Sequence, residues 1–221
     1  QCVDDSERGE HAKRRIRDLV GRAMIDFTLR EVGTTRKLLE RVGPCRLHTV
    51  AARDPFTALA QSIASQQLSV KAADTIFKRF CALFPGGRPT AAHVATLTDE
   101  AMRATGFSRP KVGYLRDLAA HVLDGRLDLH GLKKHDDDEV MRQLVAVKGI
   151  GRWTAEIFLM FRLGRPDVLP ADDLGLMNAV QRAYGLRTRP TPEKLRKMGE
   201  PWRPYRSIAA WYLWASLAEK D

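Results

Sequence analysis

A short glycine turn between two helical segments constrains this chain more than any other feature. Residues 144–147 and 152–161 are rich in apolar side chains, and Gly149 and Gly151 lie between them. We expect both glycines to supply the positive φ and the close approach of the backbone that a tight turn between helices needs. A helix that begins at such a turn leaves its first amides without intrahelical partners. Amides of this kind bind phosphate groups. The segment 144–161 therefore predicts a helix-hairpin-helix, although two core helices joined by a glycine turn would have the same pattern.

The charge of the chain favours a polyanionic partner. Its 221 residues carry 37 Lys and Arg against 27 Asp and Glu, which gives a net charge of +10 and a pI near 9.8. Such an excess indicates nucleic acid or an anionic membrane surface. Because no apolar run reaches membrane-spanning length and no hydrophobic signal core is visible, we expect no membrane association. The expected location is the cytoplasm, on nucleoid DNA if the source is bacterial.

Apolar residues recur mainly at helical spacing. Asp54-Pro55 is a typical helix start, and Phe56, Leu59, Ala60 and Ile63 then share one face. In the last helix the core stripe is Ile208, Trp211, Tyr212 and Ala215. Further helices are expected at 71–84, from 98 or 99, at 111–124, at 139–147, and from 172–173 to 184. The sequence predicts an almost wholly helical protein.

Three separated motifs occur in the order found in a known family. They are residues 149–155 (GIGRWTA), 170–173 (PADD) and 201–207 (PWRPYRS). The chain resembles the helix-hairpin-helix DNA glycosylase superfamily over roughly 54–218, and in particular its 3-methyladenine DNA glycosylase II (AlkA-type) branch. The resemblance implies an all-α fold of two helical subdomains with the active site in the cleft between them. We expect no sheet domain of the kind with which longer relatives begin, because few residues precede the motifs.

The resemblance also predicts a division of the chain. Residues 1–22, with a basic run at 13–17, are expected to form a basic and flexible arm. Residues 23–53 are assigned with 172–221 to a terminal helical subdomain. Residues 54–171 are assigned to a second helical subdomain that carries the hairpin.

A carboxylate is required for the expected chemistry. Cleavage of an N-glycosidic bond places positive charge on the sugar, which a fixed carboxylate stabilises. By motif register Asp173 matches the catalytic aspartate of the family. Asp172 is expected to cap the following helix, although both carboxylates could be caps.

The resemblance places three residues in a base pocket. Trp153 stands where strand-cutting relatives have a lysine nucleophile, which predicts a monofunctional enzyme whose product is an abasic site; Trp153 could also be a core residue. Trp214 matches a pocket aromatic, and Ile157 replaces an expected tyrosine. No general acid is evident. Purines that already carry positive charge would leave without one, and aromatic rings attract such cations.

Several residues are expected to contact DNA. The resemblance implies that the amides of Gly149, Gly151 and Thr154 bind one phosphate, that Lys148 and Arg152 add charge, and that a monovalent cation could lie on the carbonyls of Val147 and Ile150. It also implies that the loop of Gln66, Gln67 and Leu68 enters the minor groove and that Arg109 and Lys111 suit a phosphate. A plain helix-to-helix turn and ordinary solvated charges are the alternatives.

No cofactor is predicted. Cys2, Cys45 and Cys81 are far apart in sequence and fit neither a disulfide framework nor a Cys-x-x-Cys metal site. The four-cysteine iron–sulfur ligand set of some relatives is absent from the carboxyl terminus. His130 and His135 have no partner at ligand spacing.

The resulting hypothesis is a monofunctional DNA glycosylase of base excision repair that acts as a monomer on double-stranded DNA with damaged bases. Its expected substrates are alkylated purines, 3-methyladenine and 7-methylguanine. The alternatives are a non-catalytic helix-hairpin-helix DNA-binding module and a glycosylase for mismatched or deaminated bases.

Overall fold

The structure, a computed structural model, describes Cys45, Leu47 and residues 54–218. These residues form ten α-helices and no β-strand, which confirms the prediction of an all-α protein. The predicted arm at 1–22 and almost all of 23–53 lie outside the described residues. None of the helices described is long and apolar enough to span a membrane.

The described chain divides into two compact units, one of residues 54–164 and one of residues 165–218 with Cys45 and Leu47. The chain passes from one to the other at Gly164–Arg165, somewhat before the predicted division at 171–172. Gly164 explains this position, because its left-handed conformation (φ 71°) ends the helix that precedes it.

Seven helices build the first unit. They are Pro55–Ser65 (α1), Val70–Cys81 (α2), Ala91–Thr96 (α3), Asp99–Ala104 (α4), Arg109–Leu123 (α5), Asp137–Val145 (α6) and Arg152–Phe158 (α7), and a π-helical turn at Leu159–Leu163 continues α7.

The predicted start of α1 is confirmed in detail. The carboxylate of Asp54 accepts the amide of Thr57 at 3.0 Å, and Pro55 occupies the first turn. The four apolar residues predicted to share a face of α1 are all buried. They join a core in which the ring of Phe80 packs edge-on against Phe84 (4.9 Å between centroids) and Phe107 (5.1 Å). Local capping and the apolar stripe thus define this helix together.

Helix α3 was not predicted from the sequence. Thr90 caps its start, and its end is held by Arg116 on α5, whose Nη1 donates to the carbonyls of Val94 and Ala95 at 3.1 Å each. Arg116 Nη2 also donates to Asp99 at 2.8 Å. A six-residue helix stabilised by an arginine about twenty positions away leaves little local signal.

The second unit holds Leu174–Ala183 (α8), Pro192–Gly199 (α9) and Arg206–Ala218 (α10), with α8 packed on α10. Helix α9 is a further helix that the sequence analysis did not predict. Ser207 is fully buried: its Oγ accepts the amide of Val168 at 2.9 Å and donates to the carbonyl of Arg165 at 2.8 Å. Arg206 holds the carboxylate of Asp167 through Nε at 2.7 Å and Nη2 at 3.0 Å. These bonds fix the segment that leads to Asp173.

Arg116 provides a test of this account of the first unit. We expect Arg116→Lys to lower the free energy of unfolding by about 1 kcal/mol, because an ammonium cannot reproduce the fork of donors that closes α3. Arg79→Lys, on the exposed face of α2 in the same unit, is the matched control and should change stability by less than about 0.5 kcal/mol. Equal effects of the two substitutions in urea denaturation would contradict the role of Arg116.

Candidate functional site

The hairpin turn lies where it was predicted, between Val145 at the end of α6 and Arg152 at the start of α7. Gly149 has φ +83°, and a Cβ at this position would overlap the ring of Tyr114. Gly151 has φ −85°, and nothing lies within 4 Å of the place where its Cβ would be. The expectation of positive φ at both glycines is therefore right for Gly149 and wrong for Gly151. Gly149 is required by the fold, whereas Gly151 leaves open space outside the first turn of α7.

Two side chains hold the backbone of the turn. The carboxylate of Asp117 accepts the amide of Lys148 at 2.7 Å, and the side-chain amide of Gln66 donates to the carbonyl of Gly149 at 2.7 Å. Together with the ring of Tyr114, they fix the turn from α5 on one side and from the loop after α1 on the other. Asp117 and Tyr114 were not singled out from the sequence, and only their spacing on α5 could have suggested a shared face.

The residues predicted to bind phosphate lie on this turn. No side chain caps α7, whose N-cap is Gly151. Lys148 is exposed, and Thr154 is buried. The Arg152 guanidinium pairs with the 3% exposed carboxylate of Glu156 at 2.9 Å, so part of its charge is balanced within the protein. The predicted amide contacts stay predictions.

The carbonyls predicted to hold a monovalent cation belong to Val147 and Ile150. The Val147 carbonyl accepts the amide of Ile150 at 3.0 Å, so a cation there would share this oxygen. Cation binding stays a prediction. In the described part of the chain, no group of three or more His, Cys, Asp or Glu side chains could hold a metal ion.

The loop between α1 and α2 consists of Gln66, Gln67, Leu68 and Ser69, and we call it the 66–69 loop. Gln67 is exposed with φ 57°, an unusual conformation for a residue with a side chain. Leu68 is 41% exposed, and Val70, at the first position of α2, is 81% exposed. The tip of the loop thus presents polar and apolar side chains outward, as insertion into a groove would require.

The surroundings of Lys111 differ from those expected of a phosphate ligand. Its ammonium donates to the carbonyls of Ala64 at 2.8 Å and Gln66 at 2.7 Å, at the carboxyl end of α1. Burial lowers the pKa of Lys111 from its usual range. An ammonium held in this way is not well placed for a phosphate, which disfavours the predicted contact. Arg109 lies exposed in the first turn of α5, which begins at Arg109 rather than at Lys111.

Of the two adjacent carboxylates, Asp172 was expected to cap the helix, but Asp173 does so. Asp173, not Asp172, is the N-cap of α8, and its Oδ1 accepts the amide of Leu176 at 2.6 Å. Asp172 is exposed and pairs with Arg196 at 3.0 Å. The prediction that Asp172 caps the helix was wrong, because the helix begins one residue later than the sequence suggested.

The predicted pocket aromatic Trp214 contacts Asp173 directly. Its indole Nε1 donates to the same Oδ1 of Asp173 at 2.8 Å. Gly175 makes room for this pair, since a Cβ there would lie 3.1 Å from Asp173 Oδ1 and 3.5 Å from Trp214 Nε1. Two donors on one oxygen fix the orientation of the carboxylate.

The other two predicted pocket residues lie on α7. Trp153 is 45% exposed, which excludes the alternative that it is a core residue. Ile157 is half-buried one turn further along. The indole of Trp153 therefore lies at the surface next to the hairpin.

The described residues thus contain a glycine hairpin between two helices and, later in the chain, an oriented aspartate at the start of a helix, which is the pattern that the sequence analysis associated with helix-hairpin-helix DNA glycosylases. The family model described as HhH-GPD superfamily base excision DNA repair protein matches residues 60–204. The chain belongs to this superfamily.

Known proteins agree with this assignment. The chain is 37% identical over 189 residues to DNA-3-methyladenine glycosylase 1 of Schizosaccharomyces pombe, a match that spans 84% of this chain and 83% of the relative. It is similar to the solved structure of the 3-methyladenine DNA glycosylase of S. pombe in complex with abasic DNA (TM-score 0.78, 35% identity, 86% of this chain and 95% of that one). It is also similar to a DNA-3-methyladenine glycosidase from Bacillus halodurans (TM-score 0.77, 38% identity, 84% and 85% of the two chains).

The two hairpin glycines allow folding to be separated from ligand contact. We expect Gly149→Ala to lower the free energy of unfolding by at least about 1–2 kcal/mol, the cost of a left-handed backbone, with the overlap on Tyr114 added to it. Gly151→Ala should leave stability within about 0.5 kcal/mol of the parent, since its φ is ordinary and its surroundings are open. Chemical denaturation of the two variants measures this difference, and equal destabilisation would refute it.

Proposed function

We propose that this protein is a monofunctional DNA glycosylase that flips and releases alkylated purines from double-stranded DNA and leaves an abasic site. The observation that carries the proposal is the carboxylate of Asp173, held by two donors in a chain of the base excision repair superfamily. The relatives at 34% and 37% identity are named an alkylbase DNA glycosidase-like protein and a DNA-3-methyladenine glycosylase, which supports the substrate class.

The orientation of Asp173 suits electrostatic catalysis. As the glycosidic bond breaks, positive charge develops on the sugar, and a carboxylate that is already oriented stabilises that charge without reorganising. Both bonds to Oδ1 come from N–H groups, one from the backbone of Leu176 and one from the indole of Trp214. We assign Asp173 as the catalytic residue and Trp214 as the residue that positions it.

The hairpin sequence supports hydrolysis without strand cleavage. Trp153 occupies the second position after Gly151, and an indole cannot form the Schiff base that a lysine would form there. Water is then the acceptor of the sugar, and the product is an abasic site. We also assign Trp153 and Ile157 to the base pocket, on the strength of their positions in the motif of the superfamily.

DNA is the partner in this proposal. A structural neighbour is a glycosylase in complex with abasic DNA, and the net charge of +10 favours a polyanion. We assign the amides of Gly149, Gly151 and Thr154, with Lys148, to the DNA backbone, and Gln67, Leu68 and Arg109 to further DNA contacts. A monomer and a cytoplasmic location complete the proposal.

Asp173 and Asp172 form a matched pair for testing the chemistry. Asp173→Asn removes the negative charge while an amide oxygen can still accept from Leu176 and Trp214, so the helix cap is retained. We expect base release in single-turnover reactions to fall by at least about 10²–10³-fold, with affinity for damaged DNA intact or raised. Asp172→Asn should react at close to the parent rate, because its carboxylate pairs with Arg196 at the surface. A dead Asp172 variant with an active Asp173 variant would reverse the assignment.

The choice of leaving group is tested by comparing lesions in one duplex sequence. Without a general acid, fast release requires a base that is already positively charged, and aromatic faces attract such bases by about 0.5–2 kcal/mol. We expect 3-methyladenine and 7-methylguanine to leave faster than hypoxanthine and ethenoadenine, with Ile157 making the pocket less polar than a tyrosine would. Single-turnover rates measure the order, and faster release of the neutral pair would overturn the substrate class.

A further inference from the structure

Gln66 connects the two elements that we assign to DNA binding, the 66–69 loop and the hairpin turn. Its backbone belongs to the 66–69 loop, whereas its side chain donates to the carbonyl of Gly149 in the hairpin turn at 2.7 Å. The two residues are 83 positions apart in sequence, so this bond joins distant parts of the first unit. The hydrogen bond from Gln66 is formed with Gly149. This residue has a left-handed backbone (φ +83°) and lies against the ring of Tyr114.

Lys111 secures the same loop from a third element. Its ammonium donates to the carbonyls of Ala64 and Gln66. Gln66, the first residue of the loop, is thereby attached to α5. Asp117, two turns further along α5, holds the hairpin through the amide of Lys148. Helix α5 thus carries one anchor for the loop and one for the hairpin turn, and Gln66 connects the two directly.

The consequence concerns the side chains that follow Gln66. Gln67 is held in a left-handed conformation and is exposed, and the apolar side chains of Leu68 and Val70 are also exposed. Such a loop would ordinarily sample many conformations, because exposed turns lack packing partners. Attachment of its first residue at two points leaves its tip with a defined direction relative to the hairpin.

We propose that Gln66 and Lys111 are positioning residues that couple phosphate binding at the hairpin to base flipping by the 66–69 loop. The inference rests on the proposed function. When the hairpin turn binds the backbone of the duplex, the link sets where Gln67 and Leu68 enter the base stack. Flipping requires the base to be unstacked, and a loop that is already oriented reduces the further cost of ordering it.

The test uses Gln66→Ala in an Asp173→Asn background, which keeps the DNA intact, with 2-aminopurine placed opposite the damaged base to report unstacking. We expect affinity for undamaged duplex to stay within about two-fold of the parent, while the fluorescence change on binding damaged DNA falls. In the active protein, which keeps Asp173, Gln66→Ala should slow single-turnover release of the base by about five-fold, as expected for one lost hydrogen bond. Gln66→Met, which keeps the length of the side chain without its donor, should behave in the same way.

A substrate that is already unstacked provides the control. Release of the same base from single-stranded DNA does not require insertion of the loop, so Gln66→Ala should slow it less than release from duplex. Equal slowing on both substrates, or an unchanged duplex rate and fluorescence in folded Gln66→Ala and Gln66→Met, would overturn the inference. An inactive parent protein would instead overturn the proposed function, and the two failures are therefore distinct.

Lys111 allows a second, independent test. Loss of a phosphate contact changes how DNA affinity depends on salt, whereas loss of a contact within the protein does not. Lys111→Met should leave the slope of log affinity against log salt unchanged for undamaged duplex and reduce the 2-aminopurine signal. Arg109→Met, two residues away and exposed, should lower the magnitude of that slope by about 0.9. A similar decrease for Lys111→Met, with an unchanged fluorescence signal, would make Lys111 a phosphate ligand and refute its role as an anchor.

Discussion

The left-handed turn at Gly149 is the constraint on which the first unit depends. Because its Cα lies against the ring of Tyr114, the turn can approach α5 only where no Cβ is present. That approach brings the amide of Lys148 to Asp117 and the carbonyl of Gly149 to Gln66. A buried or half-buried peptide group without a partner is costly, and here side chains from two other elements satisfy the turn. One glycine therefore determines the direction in which α7 leaves the hairpin.

In the second unit a single carboxylate combines a structural task with the chemical task that we propose for it. Asp173 Oδ1 caps α8 and accepts the indole N–H of Trp214, so α8 and α10 both orient the group. The buried hydroxyl of Ser207 and the ion pair of Arg206 with Asp167 hold the preceding segment in place. The catalytic role that we propose for Asp173 requires this rigidity, because electrostatic stabilisation depends on a charge that is fixed before the reaction. Because Oδ1 accepts both the helix amide and the indole N–H, the carboxylate is held rigidly without a further residue.

The sequence predicted the parts of this protein that have local signals. The Asp54-Pro55 helix start, the apolar stripe of α1 and the glycine turn follow from propensity and spacing, and the motifs led to the superfamily. Helix α3 and the contacts of Gln66 and Lys111 could not be predicted, because they depend on residues 21 to 83 positions away. A polar side chain near a turn has the same appearance in sequence whether it faces a phosphate or a carbonyl of its own chain.

Asp172 and Asp173 show where such prediction ends. Both residues are acidic, both precede α8, and either could serve as its N-cap by preference alone. The choice depends on a helix boundary, which shifts easily by one residue, and on Trp214, which lies 41 positions from Asp173. Arg196 on α9 then attracts the carboxylate that does not cap the helix. The pair is thus distinguished by tertiary contacts. Propensity assigned the wrong carboxylate to the cap, and the catalytic role that motif register gives to Asp173 stays a prediction.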